Sequence, residues 1–397
     1  MPINWIKRIL EASLTGPSAA LRLFPVWLIL GPRQVGKSSL LLHCAEKGRL
    51  RIDLDDLETR ARANQDPQLF ARELRPPLFI DEIQYAPQLL SQIKRLADAG
   101  AAPGSVWLTG SQSFEVMRGV SETLAGRVAI LNLFGLSDEE KKQSLDGPRA
   151  YFESILGSTF PKLHGVTDPA ARQLYLSSYL QTYVERDVRE LLGIEKRREF
   201  ETFVRACALR TGQVINYDDL GRDCGVSAVT AKQWVSLLED SYLVRLVPPY
   251  HSNRTKRLIK SPKLYFLDMG LAAHLAGWRE AEMLRLGPMA GAAFETHVLG
   301  QIERHFRHRA LDAQVYFWRT RDGAEIDFLV ETAGHVYPIE VKLGSVDPRA
   351  LPKLGPLAEP HWKRGRVLTL LHLGRPSPVE LGDEWEASGP ESLPFGG

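Results

Sequence analysis

The sequence predicts a multidomain α/β protein: a parallel sheet flanked by helices, then a mostly helical middle, then a second, smaller α/β unit. Three observations predict it. Short apolar runs alternate with longer amphipathic stretches from Val26 to Leu133. After Leu133 the apolar spacing changes to three and four, as at Tyr175, Tyr179 and Tyr183, which predicts helices. From Pro288 a helical stretch, GAAFETHVLGQIERHF, leads into YFWRT, AEIDFLV and HVYPIEVK, and later RVLTLLHL. At 397 residues the chain is long enough for two or three domains with full cores.

The first unit contains five expected strands: Val26 to Gly31, Arg51 to Asp56, Pro77 to Glu82, Ser105 to Ser111 and Arg127 to Leu133. Each lies within a helix crossover of the next, as parallel pairing requires. Composition narrows the class further. Hydrophobic residues at 44% and charged residues at 25% exclude a disordered or fibrous chain. The 50 Lys and Arg nearly balance 48 Asp and Glu, so attraction to nucleic acid has to come from local clusters. Cys44, Cys207 and Cys224 have neither zinc-ligand nor disulfide-framework spacing, which fits a reducing cytoplasm. No stretch has the 18 or more apolar residues of a membrane span, so a soluble protein without a membrane partner is expected. The end, rich in Pro, Gly, Ser and acids, is expected to be a flexible tail.

Gly31, Pro32, Arg33, Gln34, Val35, Gly36, Lys37 and Ser38 fit G-x-x-x-x-G-K-[ST] after an apolar strand and before the helical run that starts at Ser39. A plain strand-to-helix turn needs the glycines but has no use for Lys37 and Ser38. A polyphosphate does. The glycines let successive N–H groups curl around it, and the helix N-terminus adds partial positive charge. Lys37 would neutralise the outer phosphates and the Ser38 hydroxyl would ligate Mg²⁺, so ATP with Mg²⁺ is the expected ligand and Gly31 to Ser39 its lining. An acid is then expected at the tip of a neighbouring buried strand. Asp81 supplies it 44 residues after Lys37, to hold the magnesium through water, and Glu82 is placed to polarise the attacking water.

GPRQVGKS, FIDEIQ, LTGSQ, ETLAGR, YLQTYVERDVREL, KSPKLYFLDMGLAAHL, GAAFETHV, EIDF and IEVK together resemble the bacterial and archaeal AAA-type ATPases fused to a C-terminal domain of unknown function. Such proteins are similar to AAA+ ATPases in their first third and to PD-(D/E)XK nucleases in their last. The resemblance implies that Ser111, or failing it Gln112, is a sensor of the γ-phosphate. It also implies that Arg127 is an arginine finger or a sensor; a plain salt bridge at a strand start is the competing reading of Arg127. A finger given across a subunit boundary would require a homo-oligomer, with a hexameric ring as one form.

In the middle, Asp218 opens one expected helix, Cys224-Gly225-Val226 form a turn, and Ser227 caps a second helix through Leu238, followed by the strand YLVRLV. That is the order of a winged helix-turn-helix. Thr230, Lys232 and Gln233 would face a DNA groove, while Trp234 and Leu238 share the apolar face. Arg254, Lys256, Arg257, Lys260 and Lys263 follow without an intervening acid, a set of five phosphate contacts in the wing. With a single cation on the reading helix, sequence-specific readout is weak, and packing between domains is the competing use.

Near the end, a two-residue turn at Ala333-Gly334 sets Asp327 opposite Glu340 and Glu325 opposite Lys342 on one side of a hairpin. Ile326, Phe328, Val330, Tyr337, Ile339 and Val341 fill the other side. Two acids with Cβ atoms about 5 Å apart repel unless a cation or proton lies between them, and a divalent metal would resolve it. The Asp…Glu-x-Lys arrangement resembles the PD-(D/E)XK core, which implies Asp327 and Glu340 as metal ligands, Lys342 as a catalytic lysine, and Glu295 as an additional acid. The competing reading is a metal-free network neutralised by Lys342 with Arg319 or Arg321. His305 and His308 stand close enough on one helix to share a metal, though a solvated helix face is the stronger reading.

The expected organisation is a P-loop AAA+ domain over 1–136, a helical lid over 137–198, a winged helix-turn-helix with its basic wing over 199–285, a PD-(D/E)XK-like domain over 286–375 and a flexible tail over 376–397. The expected function is an Mg²⁺-dependent ATPase coupled to DNA binding and, with an intact second site, cleavage. The alternatives are an oligomeric DNA motor similar to branch-migration ATPases, and a nucleotide-gated switch that binds a protein partner.

Overall fold

The computed structural model describes the chain except residues 1–4, 111–118, 121, 144, 146, 185–196, 251–260, 321–322, 355–360, 376 and 396–397. Its first unit is a five-stranded sheet in the order β2-β3-β4-β1-β5. The strands are β1 (Val26–Leu30), β2 (Leu50–Asp53), β3 (Leu78–Asp81), β4 (Val106–Gly110) and β5 (Val128–Asn132), at the five places the apolar runs predict. All four pairings are parallel. Helices cover both faces, so β1, β3 and β4 are buried along their whole length and read as continuous apolar runs rather than alternating ones. Two apolar clusters, one per face, hold Leu28, Leu30 and Ile80 on one side and Ile29, Phe79 and Leu131 on the other.

β4 lies between β1 and β3, so the strand ending in the glycine-rich loop and the strand ending in Asp81 are separated by one strand. The carboxyl ends of β1, β3 and β4 therefore lie side by side at one edge of the sheet, where open parallel sheets bind ligands. Arg127 sits at the other edge. Its carbonyl accepts from Val26 N–H at the start of β1, and its guanidinium pairs with Asp98. A five-residue strand rises about 16 Å, so Arg127 does not reach the phosphate loop of its own subunit, which corrects its reading as a sensor there.

Among the described residues the middle is mostly helical up to Leu209, and then carries a three-stranded antiparallel sheet in the order β6-β8-β7. Its strands are β6 (Gln213–Val214), β7 (Val244–Val247) and β8 (Lys263–Phe266). Between β6 and β7 stand two helices. Asn216 caps Tyr217–Cys224 through Asp218 N–H and Asp219 N–H, Gly225 turns the chain at φ 70°, and Ser227 caps Ala228–Asp240 through Thr230 N–H. Trp234 and Leu238 are buried, with Trp234 edge-on to Phe200 and Phe203.

The last unit is a six-stranded sheet in the order β13-β14-β12-β11-β10-β9, covered on one face by the helix Ala290–Arg307. Its strands are β9 (Gln314–Arg319), β10 (Glu325–Glu331), β11 (Val336–Lys342), β12 (Gly365–Thr369), β13 (Val379–Leu381) and β14 (Trp385–Ser388). The last two strands correct the expectation of a flexible tail. β14 pairs in parallel with β12, Trp385 and Ala387 are buried, and Phe395 joins the main core. Strands of three and four residues between Pro, Gly and acids are too short for their alternation to stand out. One continuous apolar core runs from Tyr151 through the three-stranded sheet to Phe395, so the middle and the last unit share their interior.

Candidate nucleotide site and C-terminal acid cluster

The loop from Gly31 to Gly36 joins β1 to the helix Lys37–Cys44. Gly36 caps that helix at φ 92°, in the left-handed region that favours glycine. Gly31 is required for a different reason as well: a Cβ there would lie 1.9 Å from the carbonyl oxygen of Leu133, just beyond β5. Lys37 is buried and donates from Nζ to the carbonyls of Gly31 at 3.0 Å and Pro32 at 2.9 Å. Burial pulls its ammonium down to about 8, against the opposing pull of Glu82.

Ser38 Oγ donates to Asp81 Oδ1 at 2.8 Å, bringing a hydroxyl and a carboxylate together at the mouth of the loop. Thr109, fully buried near the end of β4, donates its hydroxyl to the same oxygen and accepts from Glu82 N–H at 3.0 Å. Burial raises Asp81, while the bonds from Thr109 and Ser38 oppose the rise. Glu82 follows at φ 53° and ψ 56°, an uncommon conformation for a non-glycine residue, with its carboxylate bonded to the Gln84 amide. The donor set fits the groups it would hold: glycine-rich backbone and an ammonium for phosphates, a hydroxyl and a carboxylate for Mg²⁺. Ser111 and Gln112 lie outside the described residues. Thr109 is the residue that sequence reasoning undervalued; its signal is a lone hydroxyl inside the apolar strand VWLTG.

On the helix Ala228–Asp240, Lys232 and Gln233 are exposed, and Thr230 is half-buried with its hydroxyl 2.9 Å from that of Ser227. Arg254, Lys256, Arg257 and Lys260 lie outside the described residues. Lys263 is described, and it does not face solvent. At 5% exposure it opens β8 with its ammonium turned inward, so its reading as a phosphate contact is corrected.

The ammonium meets the C-terminal acids. Lys263 Nζ stands 3.1 Å from Glu295 Oε1, 2.5 Å from Glu325 Oε1 and 4.0 Å from Asp327 Oδ1, and the Tyr265 hydroxyl donates to Glu295. The β10-β11 ladder pairs Phe328 with Ile339 and Val330 with Tyr337, the register deduced from the alternation. Beyond it the acids replace ladder partners. Asp327 N–H donates to Glu340 Oε2 at 3.2 Å, and Val341 N–H donates to Asp327 Oδ2 at 2.8 Å. Burial, then Glu295 and Glu340, pushes Asp327 far above the usual carboxylate range.

Three parts of the sequence reading change here. Glu325 turns to Lys263 and Arg319 instead of Lys342, which pairs with Glu340 at 2.6 Å. Ile326 leaves the side of Phe328 and packs with Leu329 and Val336, because the pairing of β10 with β9 shifts register between Ile326 and Leu329. The expected metal ligands Glu295, Asp327 and Glu340 do not fit a divalent ion as they stand, since an ammonium fills the space between the first two. No group of three or more His, Cys, Asp or Glu able to hold a metal occurs among the described residues.

Residues 23–141 match the family described as an AAA domain, residues 148–282 a domain of unknown function (DUF8612), and residues 290–371 another domain of unknown function (DUF4143). Two uncharacterized proteins, of Mycobacterium tuberculosis and Mycobacterium bovis, are each 32% identical over 327 residues, 81% of this chain and 71% of theirs. The chain belongs to their family. Among solved structures, Drosophila ORC bound to DNA is similar over 67% of this chain and 93% of that one, at 12% identity and a TM-score of 0.24. The AAA match spans the loop, Asp81 and Glu82, and supports ATP binding by this family member.

In this member of the family a buried polar network ties the AAA domain to the later residues, and no motif announces it. Arg8 donates to the Val35 carbonyl in the phosphate loop at 2.8 Å and to the Phe134 carbonyl at 2.7 Å, and its Nε lies 3.1 Å from Glu140. His308, at the end of the helix Ala290–Arg307, accepts Phe134 N–H at Nε2 at 3.1 Å. That bond leaves the ring proton on Nδ1, 3.3 Å from Glu140 Oε1. Arg304 donates to the carbonyls of Leu267 at 2.6 Å and Gly135 at 3.2 Å. His308 is fully buried, so the solvated helix face expected for it is corrected.

Burial holds His308 below its ordinary range, and burial together with nearby arginines takes His274 and His305 down to about 4. Below the ordinary 6.5 the unfolded chain therefore binds protons that the folded chain does not. Stability is present above that value and lost as pH falls from it towards 4. Because Asp327, raised in the folded chain, pulls the other way, the histidine contribution is read by difference: between pH 7 and pH 5 the melting temperature of the wild type is expected to fall further than that of the His274→Gln/His305→Gln double variant in thermal melts monitored by circular dichroism. Identical pH dependence in the two contradicts burial of these rings in neutral form.

No helix among the described residues is long and apolar enough to cross a membrane.

Proposed function

We propose that this protein is an Mg²⁺-dependent ATP hydrolase, acting as a homo-oligomer in the cytoplasm, whose nucleotide state governs a DNA-binding winged helix-turn-helix. The observation that carries the reading is Ser38 Oγ against Asp81 Oδ1 at 2.8 Å beside the buried Lys37 ammonium, at the carboxyl edge of a parallel sheet. On binding, Lys37 exchanges the carbonyls of Gly31 and Pro32 for phosphate oxygens, and the loop amides from Arg33 to Ser39 hold the rest of the chain of phosphates. Ser38 and Asp81 would hold Mg²⁺, which would supply positive charge beside the phosphoryl oxygens. Glu82 takes up the proton of the attacking water.

DNA binding is supported by the helix order around Gly225 and by the exposed Lys232 and Gln233. The free cysteines Cys44, Cys207 and Cys224 support a reducing compartment. An oligomer is the setting in which Arg127, at the edge away from its own loop, would serve a neighbour's nucleotide.

A specific observation favours a second reading, a nucleotide-gated switch with a protein partner: the first helix of the pair carries Asp218, Asp219 and Asp223, the last two already paired with Arg222 and Arg210, so it offers no net positive charge to a phosphate. Titration of the ATPase rate with single-stranded, duplex and junction DNA at low salt separates the two. Stimulation that weakens in Lys232→Glu and with added salt is expected. DNA that neither binds nor changes turnover overturns the DNA part and leaves the switch.

A further inference from the structure

We propose that the C-terminal acid cluster is a cation site filled by the chain's own Lys263, whose ammonium keeps a divalent metal out. The inference stands apart from the nucleotide reading, since no residue is shared. Four carboxylates approach one another from three elements: Glu295 from the helix Ala290–Arg307, Glu325 and Asp327 from β10, and Glu340 from β11. Acids gathered in a low-dielectric interior need positive charge among them. The charge that arrives comes from the other sheet.

Lys263 is held in place by its backbone. It pairs with Val247 on one side and Val214 on the other, so β8 is fixed by both of its neighbours where the side chain leaves it. Tyr265, two residues on and therefore on the same face of β8, donates its hydroxyl to Glu295. One face of one strand thus delivers an ammonium and a hydroxyl to the acids. The side chain is 7% exposed, and its ammonium lies 5.5 Å from the centre of the Phe317 ring, which closes another side.

The geometry leaves no room for a second cation. A divalent ion binds carboxylate oxygens at roughly 2.0–2.6 Å, and the position that would satisfy Glu295, Glu325 and Asp327 together is where Lys263 Nζ stands, 2.5 to 4.0 Å from each. Asp327 and Glu340 also spend an oxygen each on backbone N–H groups. With its cation built in, the cluster clasps the three-stranded sheet, the helix and the six-stranded sheet, and hydrolyses no phosphodiester by a metal route in this form.

The test is Mn²⁺ binding to the nucleotide-free full chain, read by the electron paramagnetic resonance of free Mn²⁺ up to about millimolar metal. The wild type, Lys263→Met and Lys263→Gln are compared, each also with Asp327→Asn, and folding is checked by circular dichroism. The expected result is no Asp327-dependent Mn²⁺ on the wild type and a gained site in both Lys263 variants. That site is at least about tenfold tighter than anything in the wild type and is abolished by Asp327→Asn. Wild-type Mn²⁺ binding that Asp327→Asn removes overturns the proposal. So do folded Lys263 variants that bind none, because then the ammonium is not what excludes the metal. Lys263→Gln keeps hydrogen-bond donors and covers the case where Lys263→Met does not fold. Collapse of both, with no metal on the wild type, supports the ammonium as the resident cation.

Discussion

Glu82→Gln is expected to bind ATP with nearly unchanged affinity and to hydrolyse it about 10²–10³-fold more slowly, the usual effect of removing a general base. The glutamate stands directly after Asp81 at the end of β3, and its left-handed backbone turns the side chain away from the strand line. Thr109 fixes that turn through Glu82 N–H, so the substitution changes charge and basicity while the backbone stays put. An amide keeps the size of the side chain and its hydrogen bonding but cannot take up a proton. Phosphate release and equilibrium ATP binding, measured on the same preparation, separate the two effects. Wild-type turnover in Glu82→Gln removes the residue from its role, and lost binding assigns it to the loop instead.

Lys37→Ala is expected to weaken ATP binding about 10–100-fold, the equivalent of one or two charge-assisted hydrogen bonds. The side chain already points into the loop, where it is bonded to the carbonyls of Gly31 and Pro32, so little ordering remains to be done on binding. Its burial has a further consequence in pH. The free ammonium is held down to about 8, and phosphates favour the protonated form. Affinity is therefore fully present below that value and declines as pH rises through it, by up to about tenfold per pH unit. Anisotropy of a fluorescent ATP analogue at pH 7, 8 and 9 checks this. The decline should vanish in Lys37→Ala, and an identical decline in that variant assigns it to another group.

Much of the first unit was legible because β1, β3 and β4 are buried on both faces, and burial on both faces writes uninterrupted apolar runs into a sequence. Local chemistry also read well. Gly225 and Ser227 act within a few residues of themselves, and the β10-β11 register follows from alternation across a two-residue turn; the cap of the first helix is Asn216, two residues before the Asp218 expected to open it. What did not read were contacts set by distant parts of the chain. Lys263 looked like one more cation in a basic run, yet its neighbours Glu295 and Glu325 lie 32 and 62 residues later. His308 was expected on a solvated helix face, and it is buried because its helix packs it against Phe134 and Glu140, far earlier in the chain. Ile326 changed side because of a shift against β9, which the hairpin alone does not encode.

The central claim is that the loop from Gly31 to Ser39, with Lys37 and the Ser38–Asp81 pair, holds ATP with Mg²⁺. Isothermal titration of the full chain with ATP in the presence and absence of Mg²⁺ tests it most directly. The account predicts one saturable site per chain that tightens with Mg²⁺ and is weakened in Lys37→Ala. Absence of heat at millimolar ATP and Mg²⁺, or binding indifferent to Lys37→Ala, contradicts it.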